Sequence, residues 1–285
     1  MLWLLPVGVL AISSASVLIR LTPADPIAIT FWRLAFATAA VLTLGLVRGL
    51  ELPRGRALTY SALSGVFLAA HFLSWIPSLF LTTVAASTTL VNVHPLFMLP
   101  LSRRLGERVG RGTAVGAAVA VAGSVLITLS PGGLLGNLLA LAGALSFAGY
   151  LAVGRLVRAA VGTLGYTAVS YGVAALISLA VGLALGVNLT NYSGYTFAMF
   201  LLIASVPMMA GHTVFNYLLG RYRAVTIAVA TLGEPVGAAL LAAAVLGEVP
   251  AGGPAVFGVP VQAVGVAVTL VGLALVIREE LKISG

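Results

Sequence analysis

Cysteine is absent from the 285-residue sequence, and lysine and aspartate each occur once, as Lys282 and Asp25. Without cysteine the chain has no disulfide, no thiolate metal site and no cysteine nucleophile. A single lysine at position 282 leaves no GxxxxGK[ST] loop for ATP, and an intramembrane Schiff-base lysine is lacking. A single aspartate excludes an aspartyl protease dyad and a multi-aspartate metal site within one chain. The HExxH motif of zinc proteases is also missing.

Charge of either sign is scarce. Charged residues make up 8% of the sequence, against about 25% in soluble domains. Hydrophobic residues make up 60%, and the mean hydropathy is +1.13. The formal net charge of +8 could suggest a nucleic-acid partner, but the basic residues lie in short clusters between apolar runs. The sequence therefore predicts an integral membrane protein that contacts lipid and binds no nucleic acid.

Apolar runs of about 18–25 residues, each able to cross about 30 Å of hydrocarbon, recur ten times along the sequence. The predicted spans are residues 3–20, 26–47, 57–80, 83–102, 112–130, 134–154, 163–186, 195–219, 224–246 and 255–277. Proline, glycine or asparagine clusters separate most of them. The fold class predicted from this pattern is an all-α membrane protein with ten transmembrane helices.

Basic residues occur in alternate connections between these spans. The connections after the even-numbered spans, with the segment after span 10, hold thirteen of the fifteen Lys and Arg residues: Arg48, Arg54, Arg56, Arg103, Arg104, Arg108, Arg111, Arg155, Arg158, Arg221, Arg223, Arg278 and Lys282. The connections after spans 3, 5, 7 and 9 hold none. The positive-inside rule therefore predicts that both termini are cytoplasmic.

The second half of the sequence repeats the first at an offset of about 140 residues. The matching features, in order, are His71-x-x-x-Trp75 with His212-x-x-x-Asn216, the segments ending in Pro95 and Pro235, Gly106-Glu107 with Gly247-Glu248, and Gly116 and Gly123 with Gly265 and Gly272. Apolar helices can resemble one another by composition, but several matches in order favour duplication. Five spans per half predict two inverted repeats, residues 1–131 and 132–285, around one midplane site.

Several of these motifs together resemble the EamA-type family of the drug/metabolite transporter superfamily over nearly the whole chain. They are Pro26 with Phe31-Trp32-Arg33, the alanine-rich segment ending at Pro95, Leu105 to Arg108, Glu234-Pro235, Leu246 to Glu248, Gly265 and Gly272. The resemblance implies a secondary carrier for small metabolites, often an exporter of amino acids, with a cavity lined by spans 1, 3, 4, 6, 8 and 9. The sequence departs from the family at Ser13-Ser14, where a Trp-Gly-Ser-like motif is common, and at His94 before the proline.

Glu234 lies near the middle of span 9, and Pro235 after it removes a backbone donor. Ionisable groups at this depth are costly and usually face a cavity or a partner. Glu234 is therefore either an ion-coupling residue that carries a proton, or a structural carboxylate bonded to a neighbouring helix at the proline kink.

The three histidines, His71, His94 and His212, all lie within predicted spans. His71 and His212 are equivalent in the two repeats, with Trp75 and Asn216 one turn further along the same helix faces. All five residues are candidate substrate-binding groups, and the alternative is that neighbouring helices satisfy each histidine. A three-histidine metal site is disfavoured because no tight ligand spacing supports it. We expect no metal and no cofactor.

Arg33 lies about one third of the way into span 2, near the outer side. It could bind the carboxylate of an amino-acid-like cargo, extend outward to the membrane interface, or pair with Asp25. Ser14 in span 1 and Tyr150 in span 6 lie in corresponding parts of the two repeats and could contact cargo. For the serines of span 1, hydrogen bonding within the packed helices is the alternative.

Glycines recur on one face of spans 5 and 10, at positions 112, 116, 123, 258, 265 and 272. They indicate close helix packing, either within the chain or at a homodimer contact.

The sequence as a whole predicts a non-enzymatic secondary transporter that works by alternating access. We expect it to export a small polar or zwitterionic metabolite, resembling an amino acid, across the plasma (inner) membrane of a prokaryote. The alternatives are an intramembrane enzyme that uses histidine and glutamate as acid and base on a lipid, and a channel or lipid scramblase.

Overall fold

The computed structural model describes residues 3–106, 109–127, 133–248, 255–256 and 259–284. These residues form ten helices: α1 (Leu4–Arg20), α2 (Pro26–Arg48), α3 (Arg56–Leu81), α4 (Val84–Arg104), α5 (Arg111–Ile127), α6 (Leu134–Arg158), α7 (Thr163–Ala184), α8 (Gly194–Leu219), α9 (Ala224–Leu246) and α10 (Val261–Ser284). Two-residue strands, β1 (Ala255–Val256) and β2 (Val259–Pro260), pair antiparallel before α10. The predicted repeat boundary at 131/132 and the Glu107-Arg108 motif lie outside the described residues.

Seven of the ten helices, α2, α3, α4, α6, α7, α8 and α9, are long and apolar enough to cross a membrane. Helix α1 and the Ala267–Val276 segment of α10 are shorter apolar stretches. Large apolar side chains such as Leu10 and Leu240 are exposed, which suits contact with lipid rather than water. A helical membrane protein is thus confirmed, whereas ten membrane crossings remain a prediction.

Most helix bounds follow the hydropathy pattern closely, and α9 coincides with the predicted span 224–246. The last span differs, because the sequence pattern predicts residues 255–277 and the helix runs from Val261 to Ser284. Pro260, which ends β2, lacks a backbone N–H and fits the position just before a helix better than its interior. Arg278 consequently lies within α10 and not after it.

The N-terminal half (α1–α5) and the C-terminal half (α6–α10) interlock. The most extensive helix pairs, α5 with α10, α3 with α6, α2 with α7, α3 with α7 and α1 with α8, each join one helix from either half. Under the predicted repeat, α3–α6 and α8–α1 are equivalent pairs. The buried centre of the protein therefore lies between the halves and not within each of them.

Helices α5 and α10 pack through the glycines that the sequence analysis singled out. A Cβ at Gly116 would lie 2.8 Å from the Gly272 carbonyl oxygen, and one at Gly272 would overlap the backbone of Ala120. The Thr269 hydroxyl donates to the Ala120 carbonyl across the same contact, at 3.3 Å. The described glycines of this face thus pack α5 against α10 within one chain. Gly258 lies outside the described residues.

Four helices are interrupted in their middle. Helix α1 breaks at Ser14, and α4 breaks at Asn92–Val93, just before His94-Pro95. Helix α8 is π-helical over Ala204–Thr213, and α9 narrows to a 3-10 turn over Thr231–Gly233. Prolines remove ladder hydrogen bonds, and π segments often mark functional sites. At these interruptions, backbone and polar groups at the centre of the molecule are released from the regular helical hydrogen bonds.

Candidate functional site

A small central cavity lies where these interruptions meet. Helices α1, α3, α4, α6, α8 and α9 line it through Ile12, Ala15, His71, Trp75, Val91, Asn92, His94, Phe147, His212, Phe215, Thr231 and Glu234. These are the six helices that the family resemblance implied. The free space is about 20 Å³, enough for about one water molecule. In this conformation the cavity therefore has no room for a molecule larger than water.

The breaks in α4 and α9 contact each other through two hydrogen bonds. Asn92 Nδ2 donates to Glu234 Oε2 at 3.2 Å, and His94 Nε2 lies 3.0 Å from the Thr231 hydroxyl oxygen. His94 and Glu234 are equivalent in the predicted repeats, because each directly precedes a proline. Each of them thus bonds to the interrupted helix of the other half.

His71 and His212 approach each other across the cavity, with ring centroids 6.3 Å apart. His71 Nδ1 lies 2.9 Å from the Gly143 carbonyl and donates to it, which leaves Nε2 as an acceptor in the neutral ring. Trp75 stacks on the His71 ring at 5.8 Å. The Phe147 ring contacts both His71 and His212, with ring centroids 4.7 Å and 5.6 Å apart. The site thus combines an aromatic wall with imidazole nitrogens.

Several buried polar atoms at the cavity have no hydrogen-bond partner in the described part of the chain. They are Trp75 Nε1, Asn92 Oδ1 and His212 Nδ1. Buried polar atoms are nearly always paired, so a cluster of unpaired ones indicates a position for water or a ligand. The set offers an indole donor, an amide acceptor and an imidazole nitrogen to a polar molecule.

Arg33 lies behind this wall. Its side chain is fully buried, and none of its three guanidinium nitrogens has a hydrogen-bond partner among the residues that the structure describes. The guanidinium carbon lies over the Phe72 ring, 4.1 Å from its centroid. Arg33 does not extend outward to the membrane interface, because its side chain is buried. It does not pair with Asp25 either, because the Asp25 carboxylate accepts a hydrogen bond from Ile27 N at the start of α2.

Asn216 and Tyr150 meet outside the cavity. Asn216 Nδ2 donates to the hydroxyl oxygens of Tyr150 and Tyr171, at 2.6 and 3.0 Å, and the Tyr150 hydroxyl also lies 2.9 Å from Asn216 Oδ1. Tyr171 continues to the Thr213 hydroxyl at 3.0 Å. Neither Asn216 nor Tyr150 is among the residues that line the cavity.

Ser14 also lies off the cavity wall, because its hydroxyl donates to the Ala11 carbonyl at 2.8 Å. The predicted residues that line the cavity are His71, Trp75, His94, His212 and Glu234. Asn92 and Thr231 were missed as site residues. The prolines at 95 and 235, each three to four residues downstream, mark the breaks that turn them inward and could have indicated them.

An ion pair, Arg20–Glu248, bridges helices at one end of the cavity-lining bundle. Arg20 Nη2 lies 2.9 Å from Glu248 Oε1, and Arg20 Nη1 donates to the Leu79 carbonyl at 2.6 Å. Glu248 Oε2 accepts from Val84 N at 3.2 Å. This pair therefore connects the last residues of α1, α3 and α9 with the first residue of α4.

A groove lies at the opposite end of α1. Its volume is about 840 Å³, and its walls include Leu4, Arg48, Gly162, Thr213 and Tyr217. Thr213, which lines the groove, directly follows His212, which lines the cavity, so α8 contributes to both. Among the described residues, no group of three or more His, Cys, Asp or Glu side chains is placed to hold a metal ion.

Two comparisons relate this architecture to known proteins. A family model described as the EamA-like transporter family matches residues 1–129 and 134–278. A crystal structure that carries no functional description covers 99% of this chain and 98% of its own, with a TM-score of 0.79 and 19% sequence identity. At that identity the likeness shows the fold alone. No curated protein sequence matches the chain.

Proposed function

The chain belongs to the EamA-like transporter family, and on this premise we propose that it moves a small polar or zwitterionic metabolite across a membrane by alternating access. One observation carries the proposal. A cavity where interrupted helices of both halves meet is lined in part by polar atoms that have no partner among the described residues. Discontinuous helices that meet between two repeats are the usual binding site of secondary transporters.

Two inverted five-helix repeats account for the arrangement of the site. The family model matches two segments that adjoin near the predicted boundary at 131/132. His71 and His212, equivalent in the repeats, face each other, and so do the breaks of α4 and α9. With the basic connections in the cytoplasm, both termini are cytoplasmic. This topology is part of the proposal.

The conformation corresponds to a state closed toward the outside. By the same topology, the Arg20–Glu248 pair lies on the outer side and the groove beside Arg48 on the cytoplasmic side. A cavity of about 20 Å³ cannot contain an amino acid, which needs several times the volume of one water. Cargo binding therefore requires the two halves to separate, and the groove is the route from the cytoplasm that export needs.

Glu234 is the candidate coupling residue. It is 8% exposed at the cavity, and Asn92 is its hydrogen-bond donor. Loss of its proton on one side and its return on the other would couple transport to a proton gradient. The competing role is structural, in which the Asn92–Glu234 bond only holds the two breaks together.

Counterflow in proteoliposomes tests the proposal. Vesicles that contain purified protein are loaded with an unlabelled amino acid, sugar or nucleoside and diluted into the labelled compound. A carrier accumulates label only when unlabelled cargo is present inside, and it returns the cargo unaltered. A chemically altered compound would indicate an intramembrane enzyme, and flux without stimulation by internal cargo would indicate a channel. Exchange of no compound would reject the proposal.

A further inference from the structure

We infer that Arg33 is the anchor for a carboxylate group of the cargo, and that Phe72 covers this anchor while the cavity is closed. The inference rests on the proposed transport function and specifies which cargo the site selects. It begins with an unpartnered charge at the centre of the protein.

The Arg33 side chain is 0% exposed, and in the described part of the chain its Nε, Nη1 and Nη2 atoms have no hydrogen-bond partner. A guanidinium presents five N–H donors in a planar fork and remains charged. A buried charge without an ion pair or hydrogen bonds is strongly disfavoured. The described residues supply no complementary group, so the position suits a ligand that brings one. A carboxylate fits best, because it accepts two parallel hydrogen bonds from the fork.

Phe72 provides the present contact of the guanidinium, at 4.1 Å from the ring centroid. A cation over an aromatic face is stabilised by the ring quadrupole, although less well than by an anion. The same ring packs against His71 and His212, with centroids 4.7 and 5.3 Å away. Both histidines line the cavity. Phe72 is thus the layer between the cavity and Arg33, and its rotation would join them.

The charges near the site suit a zwitterion. Glu234 is a buried acidic residue on the cavity wall, and Arg33 lies behind Phe72 at the same cavity. A cargo whose carboxylate contacts Arg33 can direct its ammonium group toward Glu234. Such a molecule enters without net charge, which lowers the cost of placing it in the membrane interior.

Matched ligands test the anchor directly. The twenty L-amino acids and their carboxamides, which keep the ammonium group and lack the carboxylate, are compared by the rise in Tm of the purified full chain. The most stabilising amino acid is then used in counterflow. We expect it to bind at least tenfold more tightly than its carboxamide. Arg33→Gln should weaken the amino acid at least tenfold and leave the carboxamide unchanged.

Arg54→Gln is the control, because Arg54 is exposed in the α2–α3 connection, and it should bind like the wild type. Phe72→Leu gives a second measurement if Arg33→Gln is too unstable to purify. Without the ring over the guanidinium, the amino acid should bind severalfold more tightly and the carboxamide no differently. Equal binding of acid and carboxamide by the wild type, or an unaltered preference in both variants, would overturn the anchor.

The two proposals fail in different ways. If sugars or nucleosides show counterflow while no carboxylate compound does, the transport function stands and the Arg33 anchor is rejected. If no compound shows counterflow, the transport function is rejected and the anchor with it.

Discussion

Asn92 donates a hydrogen bond to Glu234 across 142 positions of sequence, and this bond joins α4 and α9, two of the four interrupted helices that line the cavity. Apart from the contact with cargo proposed above, a carboxylate in this position is either a proton carrier or a part of the scaffold. The two roles predict different behaviour when the carboxylate is replaced by an amide of the same shape.

Glu234→Gln tests these roles, since glutamine keeps the side-chain volume and cannot release a proton. We expect counterflow to persist with a weaker apparent affinity for a cargo that carries an ammonium group, while uptake or export driven by a pH gradient is abolished. The measurement compares both modes in proteoliposomes with and without an imposed gradient. Glu279→Gln, on α10 and lining neither the cavity nor the groove, should behave like the wild type. Gradient-driven transport that persists in the Glu234 variant would leave this residue a structural role only.

His71→Ala and His212→Ala should each weaken cargo binding about tenfold, which corresponds to about 1.4 kcal/mol. Each change removes an imidazole from the cavity wall and leaves Phe147 without one of its ring contacts. Affinity is measured from the concentration dependence of the Tm rise. Tyr60→Ala, at an exposed site on α3, controls for loss of aromatic mass. Unchanged affinity in both histidine variants would remove these residues from the site.

Breaking the ion pair Arg20–Glu248 should open the outer side more often. Because its side chains are 30% and 26% exposed, the pair contributes about 1 kcal/mol, or about a fivefold change in the open population. We expect Arg20→Gln and Glu248→Gln to increase labelling of a cysteine placed at Ala15, on the cavity wall. Reagent is added from the outside only. The double exchange Arg20→Glu with Glu248→Arg should lower this labelling again in part. If none of these changes affects the labelling, the ion pair does not hold the outer side closed.

The membrane topology can be tested by thiol labelling without background from the protein itself, because its sequence contains no cysteine. Arg54→Cys and Thr190→Cys place single thiols in the exposed connections after α2 and α7. A membrane-impermeant maleimide should label Thr190→Cys in intact cells and Arg54→Cys only after permeabilisation. Labelling of both positions from the same side would invalidate the inverted arrangement.

Gly272→Ala should destabilise the protein by about 1–3 kcal/mol, the usual cost of overpacking. Its new Cβ would overlap the backbone of Ala120, which has little freedom to move. The control is Gly162→Ala, because a Cβ at Gly162 meets nothing within 4 Å. The Tm of each variant gives the comparison, and size-exclusion chromatography with light scattering follows the oligomeric state. A change in assembly without a fall in Tm would assign Gly272 to a homodimer contact.

The helix pattern could be predicted from the sequence because it depends on a local property. Hydrocarbon excludes unsatisfied backbone groups, so each crossing requires a long apolar helix, and its length is read from hydropathy. This explains why Ala224–Leu246 was predicted to the residue. The start of α10 was missed, because the pairing of Val256 with Val259 is a contact between residues that hydropathy does not distinguish.

The candidate site depends on contacts that no local pattern encodes. The sequence identified His71, His212 and Glu234 by their charge and depth in the membrane, because ionisable side chains are rare there for energetic reasons. It did not indicate that Asn216 pairs with Tyr150, that Ser14 bonds to its own helix, or that Arg33 lies over Phe72. Side-chain direction depends on helix rotation and on the π and 3-10 turns. Packing between the two halves fixes those features, and that packing exists only in the tertiary structure.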